Sequence, residues 1–172
     1  MRQAIFSAAA IIAFVLLTVL CARIAVPMVP VPMTLQTFAV LLAGAVLGPW
    51  RGGGAVLLYL TAAATGLPVL SDGASGLQPF SGPTAGYLVA FPVAAALAGL
   101  AARRGWLSRP LTGLAVLFGL HLLILGVGSV WLAARMGPGD AMAVGFTPFL
   151  IGAAVKSALV LLAERPLRRL PL

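Results

Sequence analysis

A single all-α membrane domain over residues 1–172, with six transmembrane helices, both termini cytoplasmic and structured outer loops capping a ligand cavity, is the fold this sequence predicts. Three observations carry it. The chain is 62% hydrophobic and 8% charged, whereas soluble domains run at about 45–50% apolar and about 25% charged. Six apolar segments can be drawn. The arginines are distributed unequally between the links that join them.

The first segment, Ala4–Val26, follows Arg2; its apolar run to Leu20 exceeds the about 7–15 residues of a signal-peptide core, so it reads as a true span. The second, Leu35–Leu47 ("LQTFAVLLAGAVL"), reaches only ~20 Å at ~1.5 Å per residue, against a hydrocarbon core of ~30 Å. It must extend into its flanks or sit partly inside protein. Gly53–Leu70, Ala85–Ala102, Leu111–Ala134 and Ala141–Ala163 complete the set. With a cytoplasmic N-terminus, Arg2, Arg51, Arg103, Arg104, Arg109, Arg165, Arg168 and Arg169 lie inside and only Arg23 and Arg135 outside, eight against two. That bias follows the positive-inside rule and requires an even number of spans. The inner links, "GPWRGG" and "RRGWLSRP", are short and basic. The outer links, "VPMVPVPMT" and "TGLPVLSDGASGLQPFSGPTAG", are rich in residues that break helices and set turns. The second keeps Leu67, Val69, Leu70, Leu77 and Phe80, which a disordered linker would not need, and reads as a folded cap over an outward cavity.

Several functions are excluded at this stage. The net charge of +8 comes from arginines scattered between apolar segments, which reads as membrane topology rather than nucleic-acid binding. The lone Cys21 cannot form an internal disulfide, and no Cys/His cluster suggests a metal; Cys21 reads as a small helix filler. No carboxylate pair, activated nucleophile or phosphate-binding loop is present (the "GGG" at 52–54 is not followed by one). An enzyme, a cofactor-dependent protein and an ATPase are therefore not expected.

Lys156, the only lysine, is the sharpest feature. A charge at bilayer depth costs from ~3 kcal/mol upward and by default marks a site. Lys156 lies seven residues before Ala163, ~10 Å from the inner helix end, and helical side chains tilt toward the helix N-terminus. In a span running from outside to inside that tilt points the ammonium outward, so snorkelling to the cytoplasm is disfavoured. Ala153, Gly152 and Gly145 lie above it on one face, which serves either close helix packing or a cavity, and Pro148 is placed to bend the helix. Arg23 is an interfacial anchor or a two-point partner for an anionic ligand group. Asp72, in the capping loop, can accept from ligand N–H groups; Asp140 reads as a cap for the last helix, and Glu164 as a solvated partner of the terminal arginines. Thr34 and Gln36 are polar caps or ligand contacts. Tyr87 and Trp131 are interfacial aromatics or walls against a ligand ring, and Phe149 and Gly152 stand beside them as candidate ligand contacts. His121 reads as a hydrogen-bonded neutral histidine. Ala4/Ala8 and Ala9/Ala13 repeat at a spacing that permits close helix contact.

The segments "VPMTLQTFAVLLAGAVLG", "LLYLTAAATGLPVL", "SGPTAGYLVAF" and "TPFLIGAAVK" together resemble, in order, the signature segments of the BioY family, the biotin-specific substrate-binding subunits of energy-coupling factor (ECF) transporters. The resemblance covers about Ala4 to Leu162. It implies a multi-pass protein of the bacterial cytoplasmic membrane that binds biotin in an outward cavity closed by the first and third loops. Its implied partners are a transmembrane coupling subunit, docked on alanines spaced like Ala4/Ala8 or Ala9/Ala13, and two ATPase subunits that alone hydrolyse ATP. Lys156 carries over as a ligand residue, with Tyr87, Thr34 and Gln36 inside shared motifs. Two departures stand out: Ala153 occupies the position of the family's aspartate, and Arg23 stands where a neutral polar residue is expected. A same-fold subunit for another small vitamin or a biotin precursor is the alternative, and assembly with further copies of the chain stays open.

Overall fold

The computed structural model describes residues 2–168, with side chains from Phe6 onward. The side chains of Arg2 and Ala4, and the whole of Arg169, lie outside the described residues. Among the described residues there are seven α-helices: α1 (Arg2–Arg23), α2 (Gln36–Leu47), α3 (Pro49–Ala64), α4 (Ala85–Arg103), α5 (Pro110–Met136), α6 (Pro138–Gly145) and α7 (Phe149–Leu167). Three of them, α1, α4 and α5, are long and apolar enough to cross a membrane, and the pair α6–α7, bent by 45°, makes a fourth if it counts as one span. These apolar helices make the chain a membrane protein.

Glycine–proline corners delimit the helices. Gly48 ends α2 at φ 84° and Pro49 opens α3; Gly137 ends α5 at φ 89° and Pro138 opens α6. A positive φ is readily available only to glycine, and proline fits the first helical turn because its missing N–H would be unpaired there anyway. Hydropathy alone does not register such corners. The third helix therefore starts at Pro49 and stops at Ala64, where Gly66 turns the chain at φ 102°, instead of running Gly53–Leu70. The first helix stops at Arg23, and Ala25–Val26 pairs antiparallel with Met33–Thr34 as a short hairpin, β1–β2. The expected span Ala141–Ala163 is two helices. Pro148 has no N–H to continue the ladder, and the chain breaks between Gly145 and Phe149.

The helices meet through small residues. A Cβ on Gly44 would collide with the Ala95 carbonyl, one on Gly52 with the Gly44 backbone, and one on Gly99 with the Gly48–Pro49 peptide. The backbones of α2, α3 and α4 thus approach closely, as membrane helices do where small residues line the seam. On the other side of α4, Gly128 of α5 receives the Tyr87 ring and Gly86 abuts Val127 and Trp131. The short α2 packs on α1, α3, α4 and α7 and is buried over most of its surface, so it is sheltered by protein.

Two acidic residues differ from expectation. Asp140 sits in the first turn of α6 without a side-chain cap bond, the cap being Gly137; there it meets the positive end of the helix dipole. Glu164 is 1% exposed rather than solvated. It pairs with Arg168 at 2.9 Å, and Arg168 also donates to the Ala102 carbonyl, pinning the end of α7 to the end of α4. His121 is buried and hydrogen-bonded as expected, to the Leu117 carbonyl at 3.1 Å and Ser157 Oγ at 2.9 Å. Cys21 is a free, buried thiol.

Candidate functional site

The long link between α3 and α4 is a folded cap. Two 3₁₀ turns, Ser71–Gly73 and Gln78–Phe80, shape it, and Asp72 holds a left-handed φ of 54°, which aspartate tolerates better than most residues. Tethers reach it from three helices. Arg23, ending α1, donates to the Pro68 carbonyl, and Arg135, near the end of α5, to the Ser81 carbonyl. Trp131 Nε1 donates to the Gly82 carbonyl at 2.9 Å, with the Arg135 guanidinium over its ring. From below, Gln36 Nε2 donates to Tyr59 Oη at 2.6 Å and Tyr59 donates onward to the Val69 carbonyl at 3.0 Å. Tyr59→Phe breaks this relay on both sides, a loss of ~1 kcal/mol per bond. Backbone amides of residues 67–80 should then exchange with deuterium roughly tenfold faster, measured by mass spectrometry; unchanged protection would show that the relay does not hold the cap.

Beneath the cap lies a cavity of about 240 Å³. The hairpin contributes Val31, Pro32 and Thr34, and α2 contributes Gln36 and Thr37. The cap supplies Leu70, Ser71, Asp72, Ala74, Pro79 and Thr84. The remaining walls are apolar or aromatic: Tyr87, Leu88 and Phe91 from α4, Ile124 and Leu125 from α5, and Phe149 from α7. Lys156 also lines it, 8% exposed, with Nζ donating to the Thr34 carbonyl at 3.1 Å. An ammonium carries three donors, so two remain for whatever occupies the cavity. The position of the expected acid, Ala153, is buried, and among the described residues no carboxylate pairs with Lys156; the Thr34 carbonyl takes its place. A buried cation without an anion is costly, which is the electrostatic invitation of this site. Such a space, apolar with a few convergent polar groups, is what a small-molecule site requires.

The structure therefore brings together Lys156, Tyr87, Asp72, Thr34, Gln36 and Phe149. It does not bring three others to the cavity wall. Arg23 and Trp131 are spent on the cap's backbone. Gly152 faces a second, open groove of about 310 Å³ between the hairpin and α7, which shares only Thr34 and Lys156 with the cavity. Within the wall, Tyr87 Oη is committed to the Gly145 carbonyl at 2.7 Å, so it braces the α6–α7 break while its ring faces inward. Thr37, Leu88, Phe91, Ile124 and Leu125 escaped the sequence reading. Helical spacing was the available signal for Phe91, four residues after Tyr87 on α4; Thr37 had none, because Thr34 lies in the hairpin outside α2.

Fold and site define a helical membrane protein with a small-molecule-sized cavity under a folded cap. The chain belongs to the BioY family, whose model matches residues 1–171. It is 43% identical over 153 residues to the probable biotin transporter BioY of Pyrococcus horikoshii, covering 88% of this chain and 90% of that protein. It is 41% identical over 158 residues to the biotin transporter BioY of Rhodobacter capsulatus, covering 81% and 82%. Among solved structures it is similar to the S-component for biotin from an ECF-type ABC transporter, with a TM-score of 0.87 and 25% identity over 98% of this chain and 94% of that one.

Proposed function

We propose that this chain binds biotin and serves as the substrate-specific subunit for biotin uptake by an ECF-type transporter of the bacterial cytoplasmic membrane. The observation that carries the reading is Lys156: a buried ammonium with spare donors, set in an apolar-walled cavity without a carboxylate partner among the described residues. Biotin has the complementary parts. Its carboxylate supplies the missing anion, its fused rings fill the space between Tyr87, Phe91, Leu125 and Phe149, and its ureido N–H groups meet the acceptors at the capped side, Asp72 among them. The protein binds and carries; no bond is made or broken on it, and ATP is hydrolysed only by partner ATPase subunits.

Six crossings with both termini cytoplasmic fit this role, with α6 and α7 forming one bent span. Arg23 and Arg135 lie at the capped end, bonded to the cap. Arg168 reaches the Ala102 carbonyl beside Arg103 and Arg104 at the opposite end. That clustering supports a cap facing outward and an arginine-rich cytoplasmic face. On α1, Ala8, Ala9 and Ala13 are exposed between large apolar side chains, a shape suited to docking the coupling subunit. The test is titration of the purified, detergent-solubilised protein with biotin, followed by competition. Saturable binding displaced by dethiobiotin in excess, but not by thiamine or riboflavin, is expected; absence of binding, or equal displacement by riboflavin, refutes the assignment.

A further inference from the structure

Five hydroxyls line the cavity, and four of them are already committed to the protein. Thr34 Oγ1 faces Gln36 Oε1 at 3.4 Å and accepts from the Gln36 amide at 3.2 Å; Ser71 reaches Asp72 at 3.5 Å; Thr84 donates to the Pro79 carbonyl at 3.2 Å; Tyr87 donates to Gly145. The fifth, Thr37 Oγ1, is buried and has no hydrogen-bond partner among the described residues. This is unusual for its setting. A threonine or serine within a helix commonly returns its hydroxyl to the carbonyl four residues back, and here Thr18 does so to Phe14 at 2.8 Å and Ser157 to Ala153 at 2.7 Å. Thr37 is only the second residue of α2, so the residue four back is Met33, which lies in the hairpin and outside the helix. Its usual acceptor is missing because of where the helix begins. The hydroxyl is also close in sequence to the cation: the Thr34 carbonyl that holds Lys156 Nζ is three residues before it.

We infer that Thr37 is a specificity-determining residue of this site, whose hydroxyl donates to the ligand's carboxylate beside the Lys156 ammonium. The inference rests on the biotin reading given above. It explains why the hydroxyl is left free. A buried donor that the protein itself leaves without a partner is free to bond an arriving acceptor, so the interaction is read in binding. Thr37 thereby couples a carboxylate to the site through a directional bond, where Lys156 offers charge.

The test compares Thr37→Val, which keeps the shape and removes the hydroxyl, with Thr37→Ser, which keeps it. Biotin affinity should fall about tenfold or more in Thr37→Val and stay within about threefold of wild type in Thr37→Ser. The thermal midpoint of ligand-free Thr37→Val should be unchanged or raised, because an unpaired buried hydroxyl has been removed; a merely structural threonine would show a lowered midpoint. The decarboxylated analogue of biotin should bind Thr37→Val and wild type alike. Unaltered biotin affinity in Thr37→Val, or an equal loss for the analogue, overturns the inference while leaving the biotin reading intact. Failure of the wild type to bind biotin overturns the reading itself. Should Thr37→Val not fold, Thr37→Ala carries the same comparison.

Discussion

Lys156→Met is expected to reduce biotin affinity by at least a hundredfold, about 2.7 kcal/mol, without loss of folded protein. Methionine matches the length and flexibility of the lysine stem, so the contacts of α7 with the hairpin persist. What disappears is the charge, and removing one partner of a buried, hydrogen-bonded ion pair typically costs 2–5 kcal/mol or more in binding. The ligand carboxylate would then enter an apolar-walled space with no cation beside it. In the empty protein the sign reverses: the uncompensated ammonium is itself unfavourable in a buried membrane setting, and its only bond among the described residues is to the Thr34 carbonyl. The ligand-free thermal midpoint should therefore stay level or rise while binding collapses. Equilibrium dialysis with labelled biotin, beside a thermal melt of the same preparation, reads both. Binding within threefold of wild type would remove Lys156 from the site.

Gly44→Ala should be the most damaging single methyl in the chain. Its Cβ would overlap the Ala95 carbonyl, and the obstacle is backbone against backbone, with no side-chain rotation to relieve it. Overpacking typically costs 1–3 kcal/mol; here ~3 kcal/mol or more is expected, since α2 and α4 must part along their seam. The cavity suffers too, because Gln36 and Thr37 ride on one of these helices and Tyr87, Leu88 and Phe91 on the other. The contrast is Gly54→Ala: a Cβ there meets nothing within 4 Å, and alanine is the better helix former. Fluorescence-detected gel filtration after heating should show Gly44→Ala lost at temperatures that wild type and Gly54→Ala survive. Equal survival of both variants would mean that the α2–α4 seam yields.

Much of the architecture was legible because lipid imposes a simple demand. The fourth and fifth segments, read as Ala85–Ala102 and Leu111–Ala134, match α4 and α5 to within two residues, since long apolar runs admit one interpretation. Errors fall where apolar residues serve the protein interior instead of lipid. Leu70, drawn as the end of the third segment and also counted in the capping link, lies in the cap and lines the cavity. Lys156 could be found because a charge at depth needs a reason. Arg23 was harder: a guanidinium at a helix end serves a carboxylate or a backbone carbonyl equally well, and only the folded cap shows it on Pro68. Trp131 was ambiguous in the same way. Thr37 was invisible, because a threonine in an apolar helix normally satisfies itself, and nothing in one dimension reveals a missing acceptor. Tyr59, fully buried in α3, became meaningful only when Gln36 and Val69 were seen on either side of it.

The sheltered position of α2 has a consequence for biosynthesis. Twelve residues make a rod of ~18 Å, too short to cross hydrocarbon of ~30 Å unaided. It is turned into α3 at Gly48–Pro49, and depends on neighbours to cover its ends and flanks. Two of these, α4 and α7, emerge from the ribosome later, α7 last among the described helices. Until α7 has been made, the segment carrying Thr34, Gln36 and Thr37 lacks its covering wall and its cation. A nascent chain truncated before Phe149 would carry the hairpin and the cap without Phe149 or Lys156, so the cavity wall closes only when α7 is added.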